Sequence, residues 1–94
     1  MAVIEDTRIE DTLVDRVAII LEQCFPGSDV NVGRFYGAER VHGRIIWSGF
    51  EDLDDVDRQH AIHKALRKSL GADVRGISII LGYTPREIEL MESV

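Results

Sequence analysis

The sequence predicts an α+β domain in two layers, with helices on a three-stranded mixed sheet and elements in the order αββαβα. Three observations carry that expectation. Between Val41 and Leu70 a short apolar run gives way to a helical period, which reads as one strand, one sharp turn and one long helix. A second apolar run, Val74 to Leu81, follows directly after Gly71, and strand, helix and strand in succession imply a right-handed crossover with the strands parallel. Ahead of them, a helical stretch and a short alternating stretch are separated by Pro26-Gly27.

In chain order, Met1 to Asp6 reads as a frayed leader and Thr7-Arg8-Ile9-Glu10 as a capping box opening the first helix. Ile9, Leu13, Val17, Ile20 or Leu21, and Cys24 share one face of that helix. Asp29 to Val32 starts the sheet, Gly33 to Gly37 extends that strand or loops out, and Ala38 to Val41 leads back as a hairpin. Arg44 to Trp47, β-branched and aromatic between two glycines, fits a strand buried on both faces. The second helix places Val56, Gln59, His63, Leu66 and Leu70 on one face with Ile62 beside it, Asp52 as N-cap and Gly71 as the left-handed C-cap. In the next strand Ile77, Ile79 and Leu81 alternate. Thr84-Pro85 with Glu87 forms a capping box for a last helix, Pro85 to about Glu92, with Ile88 and Met91 inward.

Composition narrows the function classes. Ninety-four residues suit one domain spanning the whole chain, able to bury roughly two-thirds of the surface its unfolded form exposes. Cys24 is the only cysteine, so no intrachain disulfide or cysteine metal cluster can form, and a reducing cytoplasmic setting is the default expectation. On the helix's apolar stripe, Cys24 reads as a small buried hydrophobe. The formal charge of −6 repels phosphate backbones and anionic membranes unless basic residues gather locally. No apolar run approaches a membrane span, and no basic region followed by an apolar stretch marks export.

Candidate chemistry is sparse. The Gly33 to Gly37 glycines lack the spacing and the lysine of a phosphate-cradling loop. Glu51, Asp52, Asp54, Asp55 and Asp57 crowd one turn, without the glycine and distal glutamate of a calcium loop; at a helix N-terminus they complement the macrodipole. His60 and His63 are three residues apart, but a metal would need a third ligand from elsewhere. His42 reads as a solvated loop residue before it reads as a ligand. No nucleophile stands next to a base at a recognised spacing, so catalysis is not expected.

The order of elements, Phe50 followed eight residues later by Arg58, the helix pattern ending at Leu66, the apolar strand Val74 to Leu81 and the closing Thr84-Pro85-Arg86-Glu87 together resemble the BolA-like proteins. Phe50, Arg58 and Ile62 match that family's middle motif in position and type, whereas Asp52, Gln59 and His60 stand where it has glycine, histidine and arginine. The resemblance implies a non-catalytic interaction and regulatory module, with a histidine at the start of the third strand helping to hold an iron-sulfur cluster shared with a monothiol glutaredoxin. Arg75 occupies that histidine's place here, and an arginine has no lone pair to offer a metal near neutral pH. The family's second ligand, in the loop before the central strand, corresponds to His42.

The BolA fold in turn resembles the type II KH domain, which implies a nucleic-acid reading. The glycine pair three residues apart that clamps a backbone there does not occur in this chain. That alternative needs cations gathered on one face, either Arg34, Arg40 and Arg44 or, the better set, Lys64, Arg67, Lys68 and Arg75. Arg75 can also serve a docked partner as a fork for carboxylate or phosphate. A homo-oligomeric adaptor paired through an exposed outer strand is the third expectation.

Overall fold

Helix α1, Thr12–Cys24, begins where the Asp11 carboxylate accepts from the Val14 N–H at 3.4 Å. The computed structural model describes residues 11–93, so the Thr7 to Glu10 capping box, Ile9 and the Met1 to Asp6 leader lie outside the described residues. Strands β1, Asp29–Gly33, and β2, Val41–Ile46, pair antiparallel as the expected hairpin. Helix α2, Asp55–Leu70, then leads to β3, Ile77–Tyr83, which lies parallel to β2, and α3, Pro85–Glu92, closes the chain. The sheet order is β1-β2-β3, so the structure is the αββαβα α+β domain with a three-stranded mixed sheet.

Burial follows from which face each element turns to the others. Val17 and Leu21 of α1, Ile62, Leu66 and Leu70 of α2, Val41 and Ile45 of β2 and Ile80 of β3 form one apolar cluster, closed at one end by Phe25 and Phe50. Each such side chain removed from water contributes about 2 kcal/mol. Trp47 rests edge-on against both phenylalanines, at 5.0 and 5.2 Å between ring centroids, and donates its indole N–H to the Pro26 carbonyl at 2.9 Å. Close approach explains two glycines. A Cβ at Gly43 would overlap the Asn31 carbonyl oxygen on β1, and one at Gly82 would lie 3.0 Å from the Phe50 ring.

Several expectations change in detail, each for a local reason. Strand β2 buries Val41 and Ile45 but leaves His42, Arg44 and Ile46 half-buried, so it has one covered face and not two. On α2 the buried stripe is Arg58, Ile62, Leu66 and Leu70; Val56 and His63 are exposed, because the face is rotated to bring Arg58 inward. The N-cap is Asp54, whose carboxylate accepts from the Asp57 N–H at 2.9 Å, and Asp52 lies two residues further out. The α1 stripe ends on Phe25 one position past the helix, four residues after Leu21, which leaves Cys24 exposed.

The third strand shows the most instructive difference. Residues 71–76 form a tight helical turn, so β3 begins at Ile77 and not at Val74. The pairing then advances from Val41↔Ile77 to Gly43↔Ile80, three residues on β3 against two on β2. That bulge reverses the phase. Ile77 stays against the core, Ile80 and Gly82 are buried, and Ile79 and Leu81 face solvent. On α3, Ile88 is half-buried while Met91 is exposed.

Candidate functional site

The spacing from Phe50 to Arg58 acquires its meaning at the start of α2. A turn over Ser48–Phe50 and the Asp54 cap set Arg58 on the inward face, where it is only 6% exposed. Its Nε donates to Leu53 O at 2.9 Å, Nη1 to Gly82 O at 3.1 Å and Nη2 to Phe50 O at 3.0 Å. The same two Nη groups grip the Glu87 carboxylate at 2.7 and 3.1 Å. The guanidinium lies 5.7 Å from the centroid of the Phe50 ring. One side chain thus cross-links the turn, β3 and α3, a use for which only a planar five-donor fork is suited.

Glu87 is held there by the capping box. Its Oε1 accepts from the Thr84 N–H at 2.9 Å and its own N–H donates to Thr84 Oγ1 at 3.2 Å. The Arg58 hydrogen bonds first, then those from Thr84, hold the Glu87 carboxyl below the usual glutamate range, and Glu87 raises Arg58 in return. With every arm of Arg58 engaged inside the protein, the matched motif does structural work.

The two positions that the resemblance singles out lie at the same end of the sheet, in different surroundings. His42 is the second residue of β2 and Arg75 stands two residues before β3, and the Val41↔Ile77 pair brings those strand starts together. His42 is part of the strand, not a loop. Its ring meets Phe35 edge-on at 5.3 Å, and its Nε2 lies 3.3 Å from the Phe35 carbonyl oxygen, to which it donates when protonated there. Arg75 is exposed in a groove shared with Leu13, Arg16 and Asp73. One imidazole with a nitrogen engaged and one guanidinium do not make a two-ligand set for an iron-sulfur cluster. Among the described residues, no group of three histidine, cysteine, aspartate or glutamate side chains is placed to hold a metal ion.

The cations of the nucleic-acid reading divide. Lys64, Arg67 and Lys68 line one shallow groove along α2 together with His60 and His63, while Arg75 lines the separate groove just described. Arg34, in the other set, is bound to Asp11 at 2.8 Å and to the Glu39 carbonyl, which pins the β1–β2 connection to the start of α1. Arg16 pairs with Asp73 at 3.1 Å across the Arg75 groove. Among the described residues no helix is long and apolar enough to cross a membrane.

Sequence reasoning missed two features. The first is the partner of Arg58: nothing local announces that the capping-box glutamate 29 positions on will meet it. The second is the exposure of Ile79 and Leu81, for which the one available signal was Gly82, a glycine that lets β3 approach the Phe50 ring and so marks the inward phase. No protein-family model matches the chain, and comparison with curated proteins finds no match.

Proposed function

We propose that this chain is a non-catalytic, BolA-like interaction module of iron-sulfur or redox regulation that docks a monothiol glutaredoxin at the end of the sheet where β2 and β3 begin. The observation that carries the reading is that positions 42 and 75 fall at the same end of the sheet, in an αββαβα chain with a mixed sheet. Arg75 supports partner binding and not metal binding, since its fork suits a carboxylate on the docked surface. The protein–protein contact therefore stands on its own, without a cluster ligand at position 75. Size-exclusion chromatography and cluster absorbance during anaerobic titration with a monothiol glutaredoxin test it. A complex is expected; no complex and no change in absorbance removes the reading.

A specific observation also favours a second reading, a nucleic-acid-binding regulator. Lys64, Arg67 and Lys68 are exposed along one groove of α2, which His60 and His63 also line. Such a face would bind single-stranded oligonucleotides through their phosphates, with affinity falling steeply as salt rises. Fluorescence anisotropy at low salt is the measurement. A flat titration eliminates this alternative.

A further inference from the structure

Exposed apolar side chains are ordinary when scattered and informative when gathered. Four of the large ones gather here. Ile79 and Leu81, 52% and 41% exposed, line a groove at the edge of β3, and Leu90 and Met91, 61% and 50% exposed, line a second along α3. The two grooves share Asp55, Arg58 and Tyr83, so they form one continuous surface, which shares no lining residue with the Arg75 groove or the basic groove of α2.

We infer that this β3–α3 surface is a docking site for a cationic amphipathic helix of another protein. Hydrogen bonding at the β3 edge disfavours strand addition. Carbonyls alternate in direction along a strand, and Tyr83 O points to β2, where it accepts from the Trp47 N–H at 2.8 Å. Ile80 O and Gly82 O therefore point outward, and both are already taken, by Gln59 Nε2 at 2.8 Å and by Arg58 Nη1 at 3.1 Å. A partner strand finds the edge closed at those positions. What remains is side-chain packing on an apolar groove, the mode by which helices dock.

Charge selects the partner. Residues 51–57 and 85–92, the stretches tied together by Arg58 and Glu87, carry eight carboxylates: Glu51, Asp52, Asp54, Asp55, Asp57, Glu87, Glu89 and Glu92. Against them stand Arg86 and the internally engaged Arg58, with Arg44 as the cross-strand neighbour of Leu81 on the open sheet face. An apolar floor lined by Asp55 and Glu87 and continued by these acidic stretches complements a helix of leucine-like residues flanked by lysine or arginine. A second copy of this chain would bring two sets of acidic stretches together, so self-association is disfavoured at this surface.

The test uses the full chain, isotopically labelled, and a synthetic leucine–lysine amphipathic helix with its leucine–glutamate counterpart as probes. The basic peptide is expected to shift the methyl resonances of Ile79, Leu81, Leu90 and Met91, and the acidic one to leave them in place. Leu90→Glu or Ile79→Glu should weaken binding about tenfold or more, while Ile19→Glu, equally exposed on α1, should not. Equal binding of both peptides, shifts confined to other surfaces, or concentration-dependent shifts of these methyls in the protein alone would each overturn the assignment. The glutaredoxin reading fails or stands separately, because its contact is expected at the His42 and Arg75 end of the sheet.

Discussion

The two halves of helix α2 use the same kind of charge in opposite ways. In its first turn Arg58 is buried and gives all its donors to Leu53, Phe50, Gly82 and Glu87, whereas in its last two turns Lys64, Arg67 and Lys68 stand in solvent along one groove. A cation inside a protein must be fully hydrogen-bonded to be tolerated, and one so satisfied has nothing left for a ligand. The comparison teaches that Arg58, one of the residues on which the resemblance rests, has no donor left for a partner. Function has to be sought among the unsatisfied groups.

Replacing the buried cation should have the largest effect. Arg58→Ala leaves the carbonyls of Leu53, Phe50 and Gly82 and the Glu87 carboxylate without their donor, and should cost about 3 kcal/mol in urea unfolding. Arg58→Lys should recover less than half of that, because an ammonium cannot reach these acceptors in one plane. If Arg58→Ala unfolds at the native urea midpoint, the contrast between the two halves of α2 collapses.

Next comes the acid partner. Glu87→Gln keeps a hydrogen bond to Arg58 but removes the charge, and with the carboxylate partly exposed the loss should be about 1 kcal/mol. Because the folded-state pKa of Glu87 is depressed, its contribution is complete above the unfolded glutamate value of about 4.3 and disappears as pH falls through the folded value below it. Stability against pH should therefore fall less between neutral and strongly acidic pH in Glu87→Gln than in the native chain. Identical acid limbs would show that the ion pair contributes nothing.

Removing the cap that orients Arg58 is of similar size. Asp54→Ala should cost about 1 kcal/mol of stability, and Asp52→Ala much less, since the Asp57 N–H bonds to Asp54 alone. The smallest effects belong to the exposed half. Lys64→Gln, Arg67→Gln and Lys68→Gln should each change stability by ~0.3 kcal/mol, the scale of a helix-dipole contact. Together they should abolish any salt-sensitive oligonucleotide binding. A large loss of stability from these three would place them in the fold and not on a free surface.

These contrasts also show how far residue patterns reach. The strand–helix–strand unit was legible because its period changes from run to helix and back, and the Thr84–Glu87 box because capping is encoded within four residues. Where the pattern admitted two phases, the outcome depended on tertiary contacts. Residues 77–81 read Ile-Ser-Ile-Ile-Leu, so the apolar content supports either face, and a bulge paired to β2 decided between them. On α2 an apolar stripe drawn through Val56 looked regular, yet the buried face centres on an arginine whose carboxylate partner lies in another helix. Of the candidate cations, Lys64, Arg67 and Lys68 share one groove because they share one helix, and Arg75 stands apart, since its groove is built by α1 and the turn before β3.

Partner docking at the start of β2 and β3 is the function we propose for this chain. Its most direct test is an amide shift map of the labelled full chain titrated with a monothiol glutaredoxin. Shifts centred on His42, Arg75 and Ile77, with Arg58 and its acceptors unmoved, are the predicted result. A spectrum that does not change, or changes only along Lys64 to Lys68, would contradict it.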